Sequence, residues 1–157
     1  MSIPRTLNRL AGYLQGEIGA RRRTLALLET QEASIQANDP AATAEALRKL
    51  DREMSTNGEN SRKRAQLIEQ LATTWGVPAD LLTLGSIIER GGPAAAHLAP
   101  LRDELRSITA LVIRKNRRLG ALIGMHRRVI RDVIEYVLED ERGAAMSGAG
   151  SLIDAEA

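Results

Sequence analysis

The sequence predicts an all-α protein, an elongated antiparallel bundle of three long helices and one short one with coiled-coil-like packing. Three observations carry that reading. Apolar residues recur at steps of three and four along most of the 157 residues. Aromatic residues make up 2% of the chain and Phe is absent, whereas sheets draw on aromatic and β-branched side chains. Charged residues make up 27%, and Leu, Ile and Ala supply most of the apolar content, a mix that suits long amphipathic helices. The length fits one domain.

The first helix is read from Leu7, Leu10, Leu14, Ile18, Leu25, Leu28 and Ile35, with Pro4 suited to a first turn. Asn38-Asp39-Pro40 ends it and starts the second helix, because Asp39 can cap and Pro40 fits the first helical position. The second helix is assigned an apolar row of Leu47, Leu50, Met54, Ala65, Ile68, Leu71 and Trp75. Its centre, Ser55 to Ser61, is polar and contains Asn57-Gly58; the flanks do not alternate as strands do, so the helix is expected to continue through it. Gly76-Val77-Pro78 stops it. A short helix follows with Leu81, Leu84 and Ile88 at helical spacing, ended by Gly91-Gly92-Pro93.

The last helix, from about Pro100, has the strongest pattern. Leu101, Leu105, Ile108, Val112, Lys115, Leu119, Leu122, His126, Val129, Val133 and Tyr136 alternate steps of four and three without an error, a sustained heptad seam. These elements place a bundle domain over 1–142. Residues 143–157, small and without periodicity, are expected to form a flexible tail.

Most chemistry is excluded by composition. With no Cys there is no disulfide, thiolate metal site or cysteine nucleophile. Neither His97 nor His126 follows a carboxylate by three residues, so the metal-binding Glu-x-x-His pattern is missing, and His126 on the seam reads as a packing residue. Asp103-Glu104 and Glu139-Asp140-Glu141 are neighbours in sequence only, and their side chains diverge on a helix. Gly91-Gly92-Pro93 lacks the Lys-Ser/Thr element and the preceding strand of a phosphate cradle. No enzyme activity, cofactor, metal or small-molecule substrate is expected. Neither a membrane span nor a secretory signal is present in the sequence, which points to the cytoplasm.

The net charge of +2 is small, and the pI near 9.4 reflects how little titrates between the carboxylates and the few Lys. Distribution says more. From Arg106 to Arg131 there are eight cations and no acid. A solvated face paired with neighbouring Glu is the plain reading; Arg114, Arg117, Arg118, Arg127, Arg128 and Arg131 are the candidates for contact with an acidic partner. Nucleic acid is disfavoured, since the stretch has no aromatic for base stacking and no known motif.

From Leu119 the apolar stripe widens, as Ile123, Ile130 and Val137 add a row beside the seam with Ile134 next to it. Core packing accounts for such width, but a helix longer than its partners would present it as a groove for another amphipathic helix. The candidate groove is Leu119, Leu122, Ile123, Val129, Ile130, Val133, Ile134 and Val137. Of these, Ile123, Ile130, Ile134 and Val137 are expected to be exposed, and Leu119, Leu122, Val129 and Val133 to be mainly structural.

The order of long helix, Asp-Pro break, long helix, short helix and very long helix resembles the FlgN family of flagellar export chaperones. So do Leu28-Glu29-Thr30-Gln31-Glu32 before Asn38-Asp39, and Arg62 with Leu67-Ile68. Asn116-Arg117-Arg118-Leu119-Gly120-Ala121-Leu122-Ile123 is similar to the family's Asn-x-x-Asn-Gly-x-Leu-Ile signature, with Leu119 in place of the second Asn. The likeness extends from Leu7 to Leu138. It implies a cytosolic chaperone that holds the terminal amphipathic helices of hook-associated proteins and delivers them to the export gate, with its substrate site on the C-terminal helix. Two other readings stay open: a nucleic-acid-binding helical protein using the basic face, and a coiled-coil oligomer, such as a homodimer, joined through the seam.

Overall fold

A computed structural model describes residues 2–153 of the chain, with side chains described through 139 and at 142 and 143. Its elements are α1 (Ile3–Gln36), α2 (Pro40–Trp75), a 3-10 turn (Ala79–Leu81), α3 (Leu84–Gly91), a second 3-10 turn (Gly92–Ala95) and α4 (Leu98–Ile153). No strand occurs among the described residues. The chain divides into two compact units, Met1–Asn116 and Arg117–Ala157.

In the first unit the helix ends follow from local chemistry. Pro4 occupies the first turn of α1, where a missing N–H costs nothing. At its other end Asn38 takes a left-handed conformation, φ 53°, which Asn tolerates better than most residues. Asp39 then caps α2 by accepting from the Ala42 N–H at 3.0 Å. The hydroxyls of Ser34 and Thr43, 2.8 Å apart, tie the two helix ends together. Helix α2 runs unbroken through Asn57-Gly58 and stops at Gly76, whose φ of 63° suits a residue without Cβ. The Val77 N–H donates to the Ala72 carbonyl at 3.0 Å, closing the end.

Helices α1 and α2 pack antiparallel. Leu7, Leu10, Ala11 and Leu14 join Leu67, Leu71 and Ala72 in one buried cluster, completed by Leu82, Ile87, Ala95 and Leu98. Each fully buried Leu or Ile contributes about 1.5–3 kcal/mol by leaving water. Midway along the hairpin, Arg23 reaches Glu53 at 2.9 Å. The first part of α4 runs alongside α1 in the parallel sense, as the ion pairs Arg22–Glu104 and Lys115–Glu32 show by their nearly constant offset of 82 and 83 residues. Leu101 and Leu105 pack on the core from this side. The three helices thus form an up-down-up antiparallel bundle.

The buried row of α2 differs from the expected one. Ala46, Leu50, Leu67 and Leu71 face inward, and Leu47 and Met54 are 47% and 68% exposed; Ala65 is exposed as well. Between Leu50 and Leu67 the inward row is Glu53, Asn57, Asn60 and Arg64, all half-buried. The row keeps steps of four and three throughout, so the heptad is intact but its middle is polar, and choosing the bulkiest apolar residues there selects the wrong face. Opposite it, Glu17 is buried on α1 and accepts a 2.5 Å hydrogen bond from the Tyr13 hydroxyl.

In the short helix, Leu81 is exposed, while Leu82 and Ile87 are buried. Thr83 starts a new helix with a capping box to Ser86, which resets the phase after the 3-10 turn. Gly91 lies so close to the following turn that a Cβ would sit 2.5 Å from the Ala95 Cβ.

In the second unit α4 continues past Arg142, where the sequence pattern suggested its end, to Ile153. Of the tail expected over 143–157, residues 154–157 lie outside the described residues.

Candidate partner-binding face of the last helix

The second unit contains one element, the continuation of α4, and this decides what happens to its apolar residues. A lone helix has nothing within its own unit to cover a stripe. Leu119 is buried and Leu122 and Ile123 are half-buried. Beyond them Val129, Ile130, Val133, Ile134 and Val137 are all between 48% and 57% exposed. Leu119 is buried and Ile130, Ile134 and Val137 are exposed, as the expected split has them, whereas Val129 and Val133 are as open as Ile130 and Ile134, and Ile123 is more covered than expected. The heptad pattern persists through this region while burial does not, because periodicity marks a face and only a neighbour can bury it. His126, expected to pack, is exposed for the same reason.

Met125, Tyr136 and Leu138 are exposed apolar residues that the groove assignment omitted. Tyr136 belongs to the heptad seam in the sequence, and Met125 lies beside it, which is the signal that places both on this face. At about 100° per residue, Met125, Tyr136, Val129, Val133, His126, Val137, Ile130 and Ile134 span an arc of roughly half the circumference. That is wider than the roughly 100° stripe of an ordinary surface helix. The remaining arc carries Arg127, Leu138, Arg131, Glu135, Arg128, Glu139 and Asp132.

All six candidate cations, Arg114, Arg117, Arg118, Arg127, Arg128 and Arg131, are exposed. They do not make a uniformly basic surface, since Arg128 and Arg131 share their arc with Asp132, Glu135 and Glu139. The seam cation Lys115 is not a surface charge: it is largely covered and pairs with Glu32, whose residue is buried. Sequence placed Lys115 on the seam without its partner, 83 residues away. Nearer the start of α4, a hydrogen bond from Arg102 holds the Asp103 carboxyl below its usual range.

Asn116 and Leu119–Ile123 straddle the boundary at which burial ends. Leu119, standing where the family signature has Asn, is an apolar side chain in a buried position. No group of three or more metal-ligating side chains occurs among the described residues, and none of the described helices is long and apolar enough to cross a membrane.

These features define an all-α protein that, among the described residues, carries an exposed apolar arc on a single helix. A family model described as FlgN protein matches residues 1–147, nearly the whole chain, and the chain belongs to the FlgN family. This is a family of flagellar export chaperones. No curated protein and no solved structure matches the chain.

Proposed function

We propose that this chain is a cytoplasmic chaperone of flagellar type III export that binds the C-terminal amphipathic helices of hook-associated proteins and hands them to the export gate. The observation that carries the reading is the uncovered apolar arc in a chain of this family. A client's assembly helices are themselves amphipathic and would associate prematurely; an apolar helix face covers them reversibly, by the same packing that later joins them to one another. Of the candidate residues Leu119, Leu122, Ile123, Val129, Ile130, Val133, Ile134 and Val137, all but the buried Leu119 form the docking stripe, with Met125 and Tyr136 at its edge. Arg114, Arg117, Arg118, Arg127, Arg128 and Arg131 contact acidic positions of the client or the gate. The role needs no catalysis, cofactor or metal. The mixed charges behind the stripe favour protein over nucleic acid.

The test is substitution of Ile130 and Ile134 by Asp, with melting and client titration measured on the same samples. Both side chains are about half exposed, so stability should change by no more than about 0.5 kcal/mol. Loss of one buried anchor should weaken binding of a hook-associated protein's C-terminal segment by about 2 kcal/mol, roughly 30-fold. Unchanged client affinity in the double variant would remove the stripe from the site.

A further inference from the structure

The charges on the uncovered part of α4 are sorted along its length. From Arg117 to Arg131 there are five Arg and no acid, and Asp132, Glu135 and Glu139 begin where the cations end. All five Arg are exposed. At about 100° per residue, Arg117, Arg127, Arg128 and Arg131 share roughly 100° of arc, with Gly120 and Gly124 between them. The apolar arc faces the other way. In projection Arg118 stands beside Val129 at one edge of it, and Arg127 beside Ile134 at the other.

A helix apolar over one half and cationic over the other suits the boundary of an anionic lipid bilayer. A helix about 10 Å across that sinks about 5 Å into that boundary is wetted over half its circumference, which is the width of this arc. One partner helix needs a stripe of only about 100°. We propose that α4 from Leu122 to Val137 adsorbs in the plane of an anionic lipid surface with its apolar arc inward. Leu119, already buried, marks where the contact begins. Arg118 and Arg127, at the edges of the arc, extend to the headgroup phosphates, and the other three Arg act through a surface field that reaches about 8–10 Å. From Arg117 to Val137, five Arg against Asp132 and Glu135 leave a net charge of +3, so attraction outweighs repulsion. His126, near the middle of the arc, suits a shallow contact at the headgroups and not the hydrocarbon interior. The contact is peripheral, since none of the described helices is long and apolar enough to cross a membrane.

This inference goes beyond the client reading and does not depend on it, and its test contains no client. The full chain is floated with vesicles of phosphatidylcholine alone, and of phosphatidylcholine with about 30% phosphatidylglycerol, at about 0.1 M salt. Each Arg at the surface strengthens binding about fivefold, so the anionic vesicles should bind at least about 25-fold better than the neutral ones. Arg118→Gln with Arg127→Gln should weaken that binding about 25-fold. Arg52→Gln with Arg62→Gln removes the same charge from exposed positions of α2 and should change it by less than about twofold. The chain has no cysteine, so a polarity-sensitive fluorophore can be placed through Ile134→Cys on the apolar arc or Glu135→Cys on the charged one. Anionic vesicles should shift the emission to the blue at 134 and leave it unchanged at 135. Equal binding to both kinds of vesicle, binding to neither, or an Arg118 and Arg127 double variant as strong as the parent overturns the proposal. A blue shift at 135 without one at 134 overturns it too, because the charged side would then face the lipid.

Discussion

Replacing Lys115 by Met tests whether the seam of α4 is held by charge as well as by apolar contact. Lys115 and Glu32 have side chains 21% and 11% exposed, so the pair is mostly withdrawn from water but not sealed. Breaking a fully buried pair by removing one member costs about 3–5 kcal/mol, whereas an exposed pair is worth about 0–1. The remaining exposure places this one between the two, at about 2 kcal/mol. For a chain of this size that lowers the melting temperature by roughly 4–8 °C. Met matches the length of the Lys stem, so lost packing is a small part of the change. The second arm is Lys115→Met with Glu32→Leu, which removes the carboxylate that has lost its cation. Equilibrium unfolding in urea of the single and double variants should show the double recovering at least half of the loss, because an apolar pair is about as good as an ionic one in such a place. A single variant as stable as the parent would refute the reasoning, and so would a double variant less stable than either single one.

Two further outcomes concern the first unit. Gly91→Ala should cost about 1–3 kcal/mol in urea unfolding, because its Cβ would lie 2.5 Å from the Ala95 Cβ on a buried turn with little room to move; adding Ala95→Gly should restore part of it. Tyr13 is pushed above its ordinary value of 10.0, first by burial and then by its hydrogen bond to Glu17, while Arg64 and Arg21 pull the other way. A raised value in the folded protein means a contribution to stability that is complete below pH 10 and is lost as pH rises beyond it. In a Tyr136→Phe background, phenolate absorbance should rise only as the protein unfolds in alkali; ionisation at the ordinary value with the fold intact would contradict this.

The legible parts of this fold are those written in local chemistry. Asn38-Asp39-Pro40 and Gly76 end and start helices by cap and dihedral preference, which a few residues suffice to express. The inward row of α1 was legible because its apolar residues, Leu7, Leu10, Leu14 and Ile18, coincide with the buried ones. The row of α2 was not, since its middle is Glu53, Asn57, Asn60 and Arg64, and hydrophobicity then points to Met54. Leu81 was misplaced because a 3-10 turn shifts the phase by a fraction of a helical turn. On α4 the apolar face could be read and its exposure could not. Whether Val133 is core or surface depends on where other segments end, a property of the whole chain that no window of sequence contains.

The polar row of α2 has a mechanical consequence for the hairpin. Two long antiparallel helices with uniformly apolar seams could slide by seven residues and find another acceptable packing. Here such a slip would move Glu53 or Arg64 opposite leucines and pull Arg23 away from Glu53. The central polar stretch therefore acts as a detent, trading some cohesion in the middle of the hairpin for a single permitted alignment. The two apolar ends grip and the middle indexes, so backbone opening would start at the waist of the hairpin while the loop and the core end stay closed.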